Sequence, residues 1–304
     1  MEEDRKVTKE IINHSLDLQI KNNELMKYHT SWKIGGPADF FCIPTTLEHL
    51  KNILIFSQNY DLPINIIGNG SNIWVPDDGI RGLVVKIAGT LDKIEYSGKM
   101  IKAGSGTSLP YLVKQSVEKE LSGLEFAVSI PGTVGGAVIS NAGFGIESIA
   151  NLVSKIEILD YQGYVKIVDE TQLNFDYRRC NLSSQDGIVL SAYLKLKKAS
   201  KGSIIAKIRK YNKKRRKTQP TGYLTAGCVF KNPENYSAGY LIEKIGAKGL
   251  TVGNAQVSTK HANFIINKGG ASSDDIMLLM EEIEKRVQKA FGISLEKEVQ
   301  ILKA

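Results

Sequence analysis

Four glycine-rich turns, spaced among short apolar runs in the first half of the chain, constrain its fold more than any other feature. They are Ile34-Gly35-Gly36-Pro37, Gly68-Asn69-Gly70-Ser71-Asn72, Gly104-Ser105-Gly106-Thr107 and Ile130-Pro131-Gly132-Thr133-Val134-Gly135-Gly136-Ala137. Glycine admits positive φ and lets backbone N–H groups approach a ligand closely. Consecutive N–H groups in such a turn form a concavity suited to an anion such as a pyrophosphate. The dinucleotide fingerprint of a doubly wound sheet needs a third glycine and a helix directly behind it. Here the second turn runs on into Ile73-Trp74-Val75-Pro76, which is no helix start, so a Rossmann site is disfavoured. What remains is a set of separate glycine turns converging on one long cofactor. Ser71 and Asn72 add side-chain donors, and Asn141-Ala142-Gly143 follows the Gly135-Gly136 pair.

Periodicity supports a strand-rich first part. Strands are predicted at 38–43, 64–67, 83–87, 101–103, 152–159, 165–168 and 188–196, with helices at 47–60 and 109–119. Further on, helices are predicted at 203–216, 238–245 and 273–291, with strands at 262–266 and 299–302. The fold class is α+β. A boundary falls where the chain turns polar and basic, around 198–218, giving a first domain at 1–200 and a second at 201–304.

That boundary carries eight basic residues in eleven, from Lys207 to Lys217. Three uses compete for them: a solvated helix face, a nucleic-acid arm, or a phosphate-binding corner for a small anionic substrate. The run lacks interleaved aromatics beyond Tyr211, which weakens the nucleic-acid reading. Three cysteines, Cys42, Cys180 and Cys228, argue against a disulfide framework and for a reducing compartment. No secretory leader or membrane-spanning run is visible, so a cytoplasmic location with no membrane partner is expected.

The first, second and fourth glycine segments, the first in the form Thr30-Ser31-Trp32-Lys33-Ile34-Gly35-Gly36-Pro37-Ala38, resemble the two-part FAD-binding domain of vanillyl-alcohol-oxidase-type flavoproteins. In that fold the Gly-x-Gly-Ser-Asn turn and the Pro-Gly-Thr-x-Gly-Gly segment wrap the FAD pyrophosphate. The resemblance implies FAD contacts at Gly35, Gly68, Asn69, Gly70, Ser71, Asn72, Pro131, Gly132, Thr133, Gly135, Gly136, Ala137 and Asn141. Covalent members of that fold use a His or Cys in a flavin loop; none stands there, so the FAD is expected to be non-covalent.

Three more segments extend the resemblance. Phe175-Asp176-Tyr177-Arg178-Arg179-Cys180, Ala226-Gly227-Cys228-Val229-Phe230-Lys231-Asn232-Pro233 and Leu295-Glu296-Lys297-Glu298-Val299 are similar to segments of the UDP-N-acetylenolpyruvoylglucosamine reductases. The match covers roughly residues 25–302, and the short interval from Arg178 to Cys228 resembles the shorter, loop-lacking type. It implies FAD, NADPH as co-substrate, an enolpyruvyl sugar nucleotide, and a C-terminal α+β substrate-binding domain. By position it makes Arg178, Cys228 and Glu298 the catalytic trio.

The chemistry suits those types. Hydride addition to the vinyl carbon builds negative charge on the adjacent carbon and its carboxylate. A guanidinium stays charged and can grip a carboxylate at two points, which fits Arg178. Glu298 positions or polarises the same group. Most of the family protonates the carbanion with a serine; by the resemblance, Cys228 is the expected acid here. A thiol, with an ordinary pKa of about 8.5, is mainly protonated at neutral pH yet a far stronger acid than an alcohol.

On the substrate side the resemblance points to Asn232, and Lys231, Arg216 and Lys217 are candidates to neutralise a diphosphate. His261 is read as a substrate-side or structural hydrogen-bonding residue, with no metal implied. NADPH and the sugar nucleotide would use one pocket in turn. A monomer that binds no nucleic acid is expected. The alternative is an FAD-dependent oxidase of the same fold acting on a sugar or alcohol.

Overall fold

Alternating apolar residues broken by glycine fold, in the computed structural model, into short strands covered by capped helices. The structure describes residues 19–182 and 186–302. Of these, 19–22, 40–69 and 82–213 form one compact unit, and 23–39, 70–81 and 214–302 form another. The single cut near residue 200 expected from the sequence therefore differs from the compact units, because two early segments belong with the C-terminal part.

In the first unit, Ile64–Ile67 lies parallel to Ile80–Lys86, with Ile64 opposite Leu83 and Ile67 opposite Lys86. Their four-stranded sheet has the order Ile20–Leu25, Pro37–Cys42, Ile80–Lys86, Ile64–Ile67. The helix Leu47–Asn59 starts where the Thr46 side chain accepts from His49 N, and it buries Leu50, Ile53 and Leu54. Those positions recur at helical spacing and pack with Phe40, Leu83 and Val85.

A five-stranded antiparallel sheet follows, in the order Val165–Asp169, Val153–Leu159, Ile188–Lys195, Met100–Gly104, Ile94–Ser97. Ile101, Ala103, Ile156, Ile158, Ala192 and Leu194 join a core with Leu109, Leu112, Val134 and Val138. The intervening positions carry a polar cluster. Glu157 accepts from Lys102 Nζ at 2.8 Å, Tyr193 Oη at 2.7 Å and Ser191 Oγ at 2.8 Å. Burial pushes the Glu157 carboxyl up, but the hydrogen bonds from Lys102, Tyr193 and Ser191, with the lysine charge, outweigh it and hold the pKa below the ordinary value. Because the folded-state pKa is depressed, the stabilisation is present above the unfolded-state value and is lost as pH falls through the folded one. Glu157→Gln is expected to cost about 1–3 kcal/mol at pH 7. Urea unfolding should show that deficit shrinking well below pH ~4, where the wild-type carboxyl also protonates.

The second unit is built around the helix Ser273–Phe291. Ser272 and Asp275 form a capping box at its start, and Gly292, at φ 69°, closes it in the left-handed conformation. Its buried stripe of Ile276, Leu279, Met280, Ile283 and Val287 packs on Ala238, Leu241 and Ile242 of the helix Ala238–Lys244 and on Val257 and Ile265. The latter two come from a three-stranded antiparallel sheet, Thr251–Val252, Ala255–Val257 and Ile265–Asn267. The early segments enter the same core through two indoles. Trp32 Nε1 donates to Ile265 O at 2.8 Å and Trp74 Nε1 to Ser273 O at 2.9 Å. Asn267 Nδ2 donates back to Trp32 O at 2.8 Å. The last strand, Gln300–Ile301, pairs in parallel with Ile73–Trp74. Among the described residues, no helix is long and apolar enough to cross a membrane.

Candidate active site

Within the first unit, the third and fourth glycine segments are laced together by their backbones, and the Asn69 side chain ties the second to them. Val134 N donates to Thr107 O and Gly135 N to Ser105 O, both at 2.9 Å, and Leu109 N donates to Gly132 O at 3.0 Å. Asn69 Nδ2 reaches Pro131 O at 3.0 Å. The fit leaves no room for side chains: a Cβ on Gly68 would lie 2.5 Å from Thr133 Oγ1, and one on Gly135 would lie 2.9 Å from Ser105 Cβ. Thr133 caps the short helix Val134–Ile139 by accepting from Gly136 N. That helix was not expected, because Val134-Gly135-Gly136 reads locally as a turn.

A cleft of about 470 Å³ opens beside these loops, lined in part by Asn69, Lys86, Gly106, Thr107 and Ser108, with Asp92. The Ser105 hydroxyl is buried and has no hydrogen-bond partner within the protein. A lysine, small hydroxyls and closely approached backbone suit a pyrophosphate-bearing group, so these residues fit FAD. Lys86, Ser105 and Thr107 were not singled out from the sequence, although the third glycine turn was the available signal.

Arg178 also belongs to this unit. It occupies a tight turn in which Asp176 N donates to Arg179 O at 2.9 Å and Arg179 N to Asp176 O at 3.1 Å. Its φ is 55°, a left-handed conformation rare for a long side chain. Its guanidinium donates to Gly143 O at 3.2 Å and to Asn141 O at 3.5 Å, and it lies 5.2 Å from the Tyr177 ring centroid.

The second unit brings Cys228 and Glu298 onto neighbouring extended segments. Cys228 bridges to Phe264 and Phe230 to Lys297. Glu298 N donates to Val229 O at 2.8 Å and Lys231 N to Glu296 O at 2.8 Å. Asn263 fixes the first segment, its Nδ2 donating to Phe230 O and its Oδ1 accepting from Phe230 N. Asn72 joins them, its Nδ2 donating to Glu298 O at 3.1 Å. Gly70, at φ 63°, lets the chain pass His29, whose carbonyl oxygen would be 1.9 Å from a Cβ. Gly35 and Ser71 lie in this unit too. Cys228 is partly exposed, whereas Cys42 and Cys180 are buried. Burial pushes the Cys42 thiol up to about 12 and raises Cys180 as well. Neither buried thiol is suited to proton transfer at neutral pH.

The substrate-side candidates are placed unevenly. Asn232 Oδ1 accepts from Ala238 N at 3.0 Å, which fixes that end of the amide at a helix start. Lys231 Nζ is 2.6 Å from Glu296 Oε1, so its charge already has a partner. Arg216 and Lys217 are exposed in the last turn of the helix Lys201–Thr218. Lys260 Nζ donates to the Arg216 carbonyl. His261 Nδ1 accepts from Asn263 N at 3.2 Å, which leaves the proton on Nε2. Burial lowers its pKa, and the Lys248 charge adds to the effect.

The fold and the laced glycine loops define a flavoprotein, and the comparisons agree: residues 38–169 match the model of an FAD binding domain. Residues 219–302 match that of the UDP-N-acetylenolpyruvoylglucosamine reductase C-terminal domain. The chain is 41% identical over 283 residues to the UDP-N-acetylenolpyruvoylglucosamine reductase of Desulforamulus reducens, covering 93% of each chain. It is 43% identical over 286 residues to that of Moorella thermoacetica, covering 94% of each. The crystal structure of UDP-N-acetylenolpyruvylglucosamine reductase (MurB) from Thermus caldophilus superimposes with a TM-score of 0.82 at 36% identity, over 94% of this chain and all of that one. The chain belongs to the UDP-N-acetylenolpyruvoylglucosamine reductase family.

Proposed function

We infer that the chain reduces the enolpyruvyl ether of UDP-N-acetylglucosamine to UDP-N-acetylmuramate, with NADPH as reductant and FAD as its non-covalent cofactor, in peptidoglycan precursor synthesis. The observation that carries this reading is the second unit's pairing of the Cys228 and Glu298 segments, locked by Glu298 N donating to Val229 O. A thiol and a carboxylate on adjacent backbone support a reading in which a proton is delivered to a carboxylate-bearing carbon.

The residues that would hold FAD are Asn69, Thr133 and the backbones around Gly68, Gly132, Gly135 and Gly136, together with Gly35, Gly70, Ser71 and Asn72. Bound there, FAD would supply the hydride chemistry that links NADPH to the terminal vinyl carbon of the second substrate. Arg178 grips that substrate's carboxylate and stabilises the negative charge that develops there. Cys228 gives its proton to the adjacent carbon, so hydride and proton together saturate the double bond. Glu298 polarises the carboxylate. Arg216 and Lys217 neutralise the diphosphate, while Asn232 and the neutral His261 supply hydrogen bonds. On this reading residues 1–200 hold the cofactor and 201–304 the sugar nucleotide, and the protein is a cytoplasmic monomer using neither membrane nor nucleic acid.

The test is NADPH oxidation by the yellow holoenzyme with and without UDP-N-acetylglucosamine enolpyruvate. Turnover that depends on the sugar nucleotide is expected. Turnover with oxygen alone on a sugar or alcohol would instead establish the oxidase.

A further inference from the structure

We propose that Asn141 is a positioning residue that sets the guanidinium of Arg178, and that it does not serve as a ligand of the cofactor. The proposal rests on the reading of Arg178 as the carboxylate-binding group. Its place just behind the fourth glycine loop pointed instead to the flavin, but the hydrogen bonds of its side chain lead elsewhere.

Asn141 is 7% exposed. Its Nδ2 donates to Asp176 O at 2.8 Å and its Oδ1 accepts from Ala150 N at 3.2 Å. Asp176 O is the acceptor that closes the turn from Arg179 N, so the amide grips the turn at its hinge. The Asn141 carbonyl accepts from Arg178 Nη1, and the Gly143 carbonyl, two residues on, accepts from Nη2. One residue therefore acts on both the backbone and the head of Arg178.

The turn needs this support. A left-handed residue other than glycine costs about 1–2 kcal/mol, and persists where surrounding contacts over-determine it. Arg178 has φ 55°, and Asn141 itself has φ 40°, a region that asparagine tolerates better than most residues. Neighbouring bonds from Cys180 N to Ile139 O and from Asn181 N to Leu173 O hold the chain after the turn. Asn141 Nδ2 holds the turn's first peptide from outside. Without that donor, Arg178 can relax to negative φ and its guanidinium leaves the two carbonyls. A displacement of about 1 Å in such a group can cost on the order of 100-fold in rate.

Two variants separate the possibilities. Asn141→Asp keeps the size and the acceptor but removes the donor and sets a carboxylate against the Asp176 carbonyl. Asn141→Gly suits the positive φ and removes both partners. Each holoenzyme is compared with wild type for bound flavin per chain by visible absorbance, for thermal unfolding, and for the two half-reactions by anaerobic stopped flow. Flavin content and reduction by NADPH should stay within about twofold, while reoxidation by the enolpyruvyl sugar nucleotide slows by about 10- to 100-fold. Combined with Arg178→Ala, neither variant should slow reoxidation further, because the group it positions is gone. Loss of flavin, equal slowing of both half-reactions, or losses that multiply in the double variant would overturn the proposal. If Arg178→Ala alone leaves reoxidation unchanged, the reading of Arg178 itself has failed, and the proposal falls with it.

Discussion

Alanine at position 228 is expected to slow reoxidation of the NADPH-reduced enzyme by the enolpyruvyl sugar nucleotide by about 100- to 10,000-fold. That is the range a positioned proton donor contributes. Reduction by NADPH should be little affected, since no proton is delivered to carbon in that step. Serine at 228 should retain measurable reoxidation, because its hydroxyl sets a proton donor at the same place. The substitution is well suited to the question. Cys228 is partly exposed and lies in an extended segment held by backbone pairing, so trimming its side chain removes little packing. Anaerobic single-turnover mixing measures the rate directly, and an unchanged rate in the alanine variant would remove Cys228 from the chemistry.

The second large effect is expected at Arg178. Removing one preorganised donor to developing negative charge typically costs about 100- to 1,000-fold, and Arg178→Ala should lose that much in reduction of the sugar nucleotide. Lysine should rescue only in part, since an ammonium cannot reproduce a two-point grip on a carboxylate. The guanidinium already spends two donors on the Asn141 and Gly143 carbonyls, which fixes its plane in advance of substrate. Steady-state kinetics should show a fall in kcat, with kcat/KM for NADPH unchanged. A defect confined to KM for NADPH would place Arg178 on the reductant instead.

Local signals were well recorded in the sequence. Helices predicted at 47–60, 109–119 and 273–291 appear as Leu47–Asn59, Leu109–Glu118 and Ser273–Phe291, each with an apolar stripe and a serine or threonine cap. The predicted strand at 262–266 is instead Ile265–Asn267, since Ala262 to Phe264 form a turn in which Phe264 N donates to His261 O. The missed strand Ile73–Trp74 is two residues long, and its partner Gln300–Ile301 lies far along the chain. No local period can report such a pairing. The interleaving of the two units escaped the sequence for the same reason, because it depends on what Trp32 and Trp74 bond to. Within the site, residue types were legible but the direction of their hydrogen bonds was not. Asn141 was visible as a polar residue behind a glycine loop, and only coordinates turn it toward Asp176. Lys231 was visible as a cation, yet it faces Glu296.

The pairing of Gln300–Ile301 with Ile73–Trp74 also bears on how the molecule is made. A ribosome releases the chain from its N-terminus, so the tryptophans at 32 and 74 emerge long before the helix and sheet that enclose them. Until Ile265–Asn267 and Ser273–Phe291 have been made, two large indoles have no native shelter, and the nascent protein carries adhesive surface that chaperones are suited to mask. Removing Gln300–Ile301 would strip the partner strand from Ile73–Trp74, a segment translated much earlier.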